Sequence, residues 1–307
     1  MNVNPIPFLR FAAVDIGSNS IRLLIENVVD YAGEPQFKKA ALVRVPIRLG
    51  EVVFQQGIIP ESTVLLLQKA MTGFRFLMEA NQVVYFKACA TSAMREAANG
   101  EKVVQQLFEN TGIQIQIIDG ETEAEIIYNG QKVISKKMSR NCLFVDVGGG
   151  STEMTLLVNG KKVSSFSFPV GTLRILYQAE TEAGWQAMRQ WLKEQTRNLP
   201  DLVLVGSGGN INRLSKLAQL KKDKPLSATK LREWVEYIRS LSIEERIRDL
   251  DLNPDRADVI VPAGDIFLQV MKWIDAEEIF IPKIGLSDGI VREAYKEWKR
   301  NQSLPEL

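Results

Sequence analysis

The chain has 307 residues, more than the roughly 250 at which a single core usually stops growing, so its length predicts two domains. Its apolar fraction of 45%, charged fraction of 24% and net charge of +1 are those of an ordinary globular protein and argue against a nucleic-acid coat or a membrane-surface protein. The absence of histidine excludes a Ser-His-Asp triad, a phosphohistidine and histidine-ligated zinc, which leaves carboxylates, Lys, Tyr, Cys or metal-bound water for acid–base chemistry.

The first half of the chain is predicted to alternate strands and helices, as in an α/β domain. Three extended segments come first, at 11–16, 21–29 and 40–45, with a turn at 33–35 before the third. Periodicity then predicts, in order, a helix over 63–80, a strand over 82–90, short helices over 92–99 and 101–110, a strand over 114–118 and a helix over 121–128.

The pattern then restarts, because residues 143–151 (Leu-Phe-Val-Asp-Val-Gly-Gly-Gly-Ser) repeat residues 12–20 (Ala-Ala-Val-Asp-Ile-Gly-Ser-Asn-Ser). A strand, an Asn159–Gly160 turn and a return strand follow, as in the first copy. The remaining predicted elements are helices over 182–197, 211–217, 231–248, 259–274 and 287–299, and strands over 202–205 and 278–281. We therefore predict a first domain over 1–126 and a second over 127–307, whose last helix, 287–299, is a candidate to pack back on the first domain.

Two cysteines and several apolar runs complete this description. Cys89 and Cys142 each lie in an apolar run without a CxxC partner, which predicts two inert core residues. The apolar stretch 266–274 is predicted to be core, and a homodimer is left open. The N-terminus lacks an apolar stretch of signal-peptide type and no run approaches a membrane span, so we expect a cytoplasmic protein with neither a membrane nor a nucleic-acid polymer as partner.

The repeated loops have the composition of phosphate-binding turns. Glycines allow a tight turn, successive backbone N–H groups can converge on a phosphate oxygen, and a serine adds a donor. The aspartate before each loop, Asp15 or Asp146, can bind a divalent cation or its water. One such loop is typical of an ordinary hairpin, whereas two at the same place in similar domains would face each other across a cleft. The residues concerned are Gly17, Ser18, Asn19 and Ser20 in the first loop and Gly148, Gly149, Gly150 and Ser151 in the second.

A third glycine loop lies between a buried strand and a helix, at residues 206–210. Its glycines, Gly208 and Gly209, can present a helix N-terminus to an anion. They can equally form a close strand-to-helix packing turn, and the sequence leaves both readings open.

Six segments together resemble one family, the exopolyphosphatase/guanosine pentaphosphate phosphohydrolase (Ppx/GppA) family, over nearly the whole chain and in the family's order. They are 14–20, 48–51, 90–97 (Ala-Thr-Ser-Ala-Met-Arg-Glu-Ala), 119–124, 145–153 and 169–174. The resemblance implies an α/β fold of duplicated ribonuclease-H-like domains of the actin-like ATPase superfamily, with an interdomain cleft. It also implies release of the terminal phosphate from inorganic polyphosphate or guanosine pentaphosphate, with Mg²⁺ as cofactor.

The resemblance assigns roles to individual residues as well. Glu123 matches the family's catalytic glutamate, which orients and deprotonates the attacking water. From the residues alone, Glu123 and its neighbours Glu121 and Glu125 would each simply favour a helix N-terminus. Asp146 and Glu153 match acidic residues near the metal and the attacking water, and with Asp15 they form the expected metal set.

Two arginines are further candidates for phosphate binding. Arg95 matches an arginine expected to grip phosphate, although it could instead be a surface residue paired with Glu96 or Glu101. Arg22 occupies in the first copy the place of Glu153 in the second. The first loop is therefore expected to grip phosphate and the second to hold metal and water.

Two rival functions remain at this stage. One is an actin-like kinase or ATPase, and the other is a non-catalytic sensor of polyphosphate or an alarmone. Longer relatives carry added C-terminal helical domains, so we expect a short polyphosphate or a guanosine tetra- or pentaphosphate to be as acceptable a substrate as a long polymer.

Overall fold

A computed structural model describes residues 8–31, 33–135, 141–221 and 224–302, the side chains of 131–135 excepted. Its first sheet has the strand order β3-β2-β1-β4-β5, in which β1 is antiparallel to β2 and parallel to β4. The strands are β1 (Leu9–Ile16), β2 (Ile21–Tyr31), β3 (Glu34–Val45), β4 (Val83–Ala90) and β5 (Ile115–Ile117).

The second sheet repeats this arrangement, with the order β10-β11-β9-β6-β7-β8. Its strands are β6 (Cys142–Val147), β7 (Thr152–Val158), β8 (Lys161–Phe168), β9 (Val203–Ser207), β10 (Leu226–Ser227) and β11 (Glu278–Phe280). Strands β6, β7, β8, β9 and β11 correspond to β1 to β5 in order and in direction. The predicted duplicated α/β fold is thereby confirmed: a ribonuclease-H-like unit occurs twice.

Helices cover and connect the sheets. Those of the first half are α1 (Leu49–Gln56), α2 (Glu61–Ala80), α3 (Ser92–Glu96), α4 (Gly100–Thr111) and α5 (Gly120–Ser135). Those of the second half are α6 (Thr172–Leu176), α7 (Glu182–Thr196), α8 (Gly209–Leu217), α9 (Ala228–Ser240), α10 (Ile243–Leu250), α11 (Pro254–Ala257), α12 (Ile260–Trp273) and α13 (Leu286–Gln302). None of these described helices is both long and apolar enough to cross a bilayer.

The prediction of one helix over 231–248 is wrong, because the chain forms α9 and α10 there. Ser242 begins α10 with a capping box, in which its hydroxyl accepts from the Glu245 amide while the Glu245 carboxylate accepts from the Ser242 amide. Leu241 before it is extended. The short helices α1, α6 and α11 and strand β10 were not predicted.

Each sheet has its own core. One face of the first sheet packs under α1 to α4, and the second sheet is covered by α7, α8, α9 and α12. Ile266, Phe267 and Val270 of α12 are fully buried, which confirms the stretch 266–274 as core. Cys89 and Cys142 are both buried and neither forms a disulfide with another described residue, in agreement with the predicted core positions.

The last helix, α13, lies against the first sheet although it ends the chain. Its Tyr295 packs edge-on against Phe11 of β1, with ring centroids 5.3 Å apart. Helix α5 contacts both α13 and the strands β7 and β8 of the second sheet. These two helices therefore connect the two sheets, and the boundary at residue 126 stays a prediction.

A buried carboxyl under α13 makes stability depend on pH. Glu26 of β2 is 2% exposed and its Oε2 has no hydrogen-bond partner. Burial first, and then the charge of Asp288, raise the pKa of Glu26 to about 7. The folded state therefore keeps this proton up to a higher pH than the unfolded state does. The contribution of Glu26 to the free energy of unfolding is accordingly larger at pH 5 than at neutral pH, and it is lost as the pH rises through about 7.

The variant Glu26→Gln should remove most of that decline. We expect it to gain about 2 to 3 kcal/mol of unfolding free energy over the wild type at pH 8, and little at pH 5. Urea unfolding between pH 5 and 8.5 measures this, with the exposed Glu34→Gln as the matched control. Parallel pH curves for wild type and Glu26→Gln would contradict the assignment.

Candidate active site

The two repeated loops form the same turn in both halves. The Gly17 amide donates to the Ser20 carbonyl at 3.2 Å, and the Gly148 amide donates to the Ser151 carbonyl at 2.9 Å. Each turn joins two antiparallel strands, and the aspartate belongs to the second residue pair from the turn. Asp15 pairs with Arg22 in the first hairpin, and Asp146 pairs with Glu153 in the second. Arg22 and Glu153 are thus structurally equivalent, as the sequence repeat predicts.

The turns touch each other at the bottom of a shared cavity of about 280 Å³. A Cβ built on Gly149 would lie 3.1 Å from the Ser18 Cβ and 3.2 Å from the Asn19 amide nitrogen. The two turns thus approach so closely at Gly149 that a side chain there would have to displace the first turn by a few tenths of an ångström.

Most of the predicted site residues line this cavity. They are Asp15, Gly17, Ser18, Asn19, Ser20, Arg22, Glu123, Asp146, Gly148, Gly149, Gly150, Ser151, Gly208 and Gly209. Arg95 and Glu153 lie behind its wall. The Arg95 Nη1 donates to the Ile118 carbonyl at 2.6 Å and lies 3.9 Å from the Glu123 Oε2, so its acidic neighbour is Glu123 rather than Glu96 or Glu101. Its phosphate-gripping role stays a prediction.

Glu123 differs from the other glutamates at the start of α5. The Asp119 carboxylate accepts from the Thr122 amide at 2.7 Å, which caps the helix and fixes its first turn. Glu123 is then buried and lines the cavity, whereas Glu121 and Glu125 are exposed. Its Oε2 has no hydrogen-bond partner. Burial first, and then the nearby charge of Glu153, raise the pKa of Glu123 well above its usual range.

The second hairpin supplies two more desolvated carboxyls. Burial raises the pKa of Asp146, although a hydrogen bond from Ser207 opposes this. Burial also raises the pKa of Glu153 to about 7, and its Oε1 accepts from the Ser167 hydroxyl at 2.7 Å. Asp15 lies close enough to raise the pKa of both Glu123 and Asp146. One end of the cavity is therefore strongly acidic and poorly hydrated.

The oxygen donors at this end suit a hard divalent cation. Within the described ranges, however, no three Asp, Glu or Cys side chains gather closely enough to hold a metal ion by themselves. The expected set of Asp15, Asp146 and Glu153 is therefore not a preassembled three-ligand shell. Mg²⁺ is commonly bound by one or two carboxylates together with water and substrate phosphates, and Asp15 and Asp146 line the cavity in a way that fits this mode.

The other end of the cavity is basic, and no sequence motif marked it. Lys39, Arg44, Arg256 and Lys283 line it together with Arg22. The Arg44 Nε donates to the Ser20 hydroxyl at 3.0 Å, and its guanidinium pairs with Asp255. Arg256 makes no side-chain hydrogen bond or ion pair within the described part of the chain. Burial, followed by the charges of Arg44 and Arg22, lowers the pKa of Arg256 to about 10.

The Arg256 guanidinium is thus cationic at neutral pH and half-buried, and the nearby charge of Asp255 offsets only part of the repulsion from Arg44 and Arg22. Such a group is stabilised by an anion entering the cavity. Carboxylates and basic side chains line the same cleft as the two amide-rich turns, and they meet where the Arg22 Nη1 donates to the Asp15 Oδ2 at 3.1 Å.

Comparisons with known proteins point to one family. The family model of the Ppx/GppA phosphatases matches residues 29–297. Exopolyphosphatase 1 of Mycobacterium tuberculosis is 23% identical over 303 residues, covering 92% of this chain and 87% of that protein. The bifunctional 3-dehydroquinate synthase/phosphatase of Fusobacterium nucleatum is 29% identical over 304 residues, covering 89% of this chain and 45% of that protein.

Solved structures agree with the fold. The Ppx/GppA family member of Aquifex aeolicus superposes with a TM-score of 0.74 at 24% identity, covering 95% of this chain and 99% of that one. An exopolyphosphatase of Cytophaga hutchinsonii superposes with a TM-score of 0.78 at 21% identity, covering 94% and 98%. At these identities the likeness concerns the fold alone.

Proposed function

Because the chain belongs to the Ppx/GppA phosphatase family, and is thus a hydrolase of phosphoanhydrides, we propose that it releases the terminal phosphate from inorganic polyphosphate. The observation that carries this proposal is the cleft itself. Two equivalent glycine turns meet in a cavity that is lined both by carboxylates, Glu123 among them, and by the basic side chains described above, Arg256 among them. A linear polyanion matches this layout, with its terminal phosphoryl group at the turns and its remaining phosphates along the cations.

The two glycine turns would bind the terminal phosphoryl group. Backbone amides of 17–20 and 148–151, with the hydroxyls of Ser18 and Ser151, would donate to its oxygens. The transferred phosphoryl group carries negative charge spread over these oxygens, so positioning and neutralisation supply most of the catalysis. Mg²⁺, held by Asp15 and Asp146 together with substrate phosphates, would supply part of that neutralisation.

Glu123 would activate the attacking water. The water oxygen bonds to the terminal phosphorus, the bridging oxygen leaves with the shortened chain, and the water proton passes to the Glu123 carboxylate. The unpartnered Oε2 is free to accept that proton. A pKa raised towards the working pH makes the group a better base than an ordinary surface glutamate.

Guanosine pentaphosphate is a second candidate substrate. Beside Lys39 and Lys283 the cavity wall carries the apolar side chains of Leu24, Leu42 and Leu286. Such a wall can contact a nucleoside, which a pure phosphate polymer would not need.

The substrate is identified by phosphate release from polyphosphates of defined lengths, guanosine pentaphosphate and ATP, each with Mg²⁺ and with a chelator. We expect Mg²⁺-dependent release from polyphosphate. Absence of release from all three would refute the proposal and favour a sensor. Transfer of phosphate from ATP to a sugar or an acid would favour the kinase alternative.

Arg256 offers a test of the basic end. The variant Arg256→Gln should raise the KM for polyphosphate by roughly tenfold or more, the usual worth of a charge-assisted hydrogen bond, while kcat changes less. Steady-state kinetics at two salt concentrations measure both constants. The exposed Arg248, paired with Asp249 outside the cavity, gives the matched control Arg248→Gln. An unchanged KM in Arg256→Gln would remove Arg256 from the substrate path.

A further inference from the structure

Asp15 and Asp146, the aspartates that precede the two turns, each accept a hydrogen bond from a buried serine, and in both cases the accepting atom is Oδ2. The Ser287 hydroxyl, at the start of α13, donates to the Asp15 Oδ2 at 2.9 Å. The Ser207 hydroxyl, at the end of β9, donates to the Asp146 Oδ2. Asp15, Ser207 and Ser287 are at least nine-tenths buried, and Asp146 is partly exposed.

The two serines reach equivalent aspartates from positions that are not equivalent. Ser207 lies beside Asp146 in the parallel pairing of β6 with β9. The corresponding position in the first sheet, beside Asp15 in the pairing of β1 with β4, is Cys89. A thiol is a weak donor, and burial raises the pKa of Cys89 to about 12. The first half instead takes its hydroxyl from Ser287, 272 residues further along the chain.

Gene duplication alone does not explain a contact that the two halves build with different elements. The hydrogen bond from a serine hydroxyl to the aspartate carboxylate is therefore explained by what each aspartate does at its own position. The surroundings of the other carboxylate oxygen, Oδ1, indicate what that is.

The other oxygen of each aspartate lies beside a glycine that lines the cavity. A Cβ built on Gly17 would lie 3.8 Å from the Asp15 Oδ1, and a Cβ built on Gly208 would lie 3.7 Å from the Asp146 Oδ1. On Asp15 the Arg22 Nη1 also donates to Oδ2, at 3.1 Å. The hydrogen bonds thus occupy Oδ2, and neither Oδ1 accepts a hydrogen bond within the described part of the chain.

We propose that Ser207 and Ser287 are positioning residues, which fix the orientations of Asp146 and Asp15 so that each presents Oδ1 to a divalent cation. This inference rests on the cation-assisted reaction proposed above. Hydrogen-bond partners of this kind set the orientation and basicity of ligating carboxylates, and their loss typically costs roughly 10- to 100-fold in metal affinity or activity.

The test measures cation binding directly. Mn²⁺ is titrated by electron paramagnetic resonance into the full chain in the presence of inorganic phosphate, for the wild type and for Ser207→Ala and Ser287→Ala. We expect each alanine variant to bind Mn²⁺ roughly tenfold more weakly or worse. Ser207→Thr and Ser287→Thr keep the hydroxyl and should bind close to the wild type. Ser165→Ala is the matched control, because the Ser165 hydroxyl bonds with Thr155 at 2.8 Å and touches neither aspartate.

Three outcomes would overturn the inference: alanine variants that bind Mn²⁺ as the wild type does, threonine variants as weak as the alanine ones, or a wild type that binds no Mn²⁺. Thermal melts check folding, and where an alanine variant does not fold, Ser207→Cys or Ser287→Cys keeps the volume with a weaker donor and should also weaken binding. Phosphate release is assayed separately. Loss of hydrolysis with intact, serine-dependent Mn²⁺ binding would therefore contradict the proposed function and leave this inference standing.

Discussion

Glu123→Gln is expected to lower kcat by roughly 10² or more, the usual contribution of a general base, while KM stays close to that of the wild type. Glutamine keeps the shape of the side chain but cannot accept the water proton. The substitution also removes a carboxyl whose charged form is disfavoured by burial and by Glu153, so folding stability at neutral pH should not fall.

Steady-state phosphate release measures this effect, and the pH profile adds a second signature. Because the pKa of Glu123 is raised, the wild-type kcat should decline on the acidic side at a pH well above the range of an ordinary glutamate. That acidic limb should be lost from the residual activity of Glu123→Gln. Glu121→Gln is the matched control, since it removes the same charge from an exposed position in the same helical turn. Full activity in Glu123→Gln would refute the assignment of the base.

The duplicated fold could be predicted from the sequence because its signal is local. An apolar strand that ends in Asp and turns through Gly and Ser recurs with its context, and a hairpin of this kind is determined by residues adjacent in the chain. Aligning the two copies of this segment matches Arg22 to Glu153. The registers of the two hairpins place these residues at the same position.

The prediction of a single helix over 231–248 was wrong because two sequence signals, apolar periodicity and a capping box, disagree there. Apolar residues continue at helical spacing from Leu231 beyond Leu241, because α9 and the following segment both lie over the core of the second sheet. The stop was nevertheless present locally, as Ser242 followed three residues later by Glu245. In this case the capping signal was the better guide than the periodicity.

The basic end and the serine contacts could not be predicted because they depend on tertiary structure. Arg256 lies in the short helix α11, whose segment reaches the first turn through a hydrogen bond from Asn19 to the Asp255 carbonyl at 3.0 Å and through Arg44, which contacts both Ser20 and Asp255. Ser287 meets Asp15 only because α13 returns to the first sheet. Neither residue lies in a sequence pattern that marks it apart from the other arginines and serines of the chain.

The contact between the two turns leads to the second large expected effect. Gly150 faces Ser18, Ser92 and Phe54 of the first half. A Cβ at this position would overlap the Ser92 hydroxyl and lie 2.7 Å from the Phe54 Cζ and 2.8 Å from the Ser18 Oγ. These neighbours are held in place, since the two serine hydroxyls bond at 2.8 Å and the Phe54 ring stacks under Arg174 at 4.1 Å.

Gly150→Ala should therefore push the two turns apart and lower kcat/KM by about 10², the usual cost of an ångström-scale misplacement of groups that bind the reacting phosphate. Stability should change much less, because neither sheet core contains this residue. Kinetics and thermal melts together measure the two effects. Gly73→Ala is the matched glycine control: a Cβ there meets nothing within 4 Å, so activity should persist and the helix α2 should gain about 0.5 to 1 kcal/mol. If Gly150→Ala kept wild-type kcat/KM, the turns would not need to touch for catalysis, and the terminal phosphate would have to be held by one turn at a time.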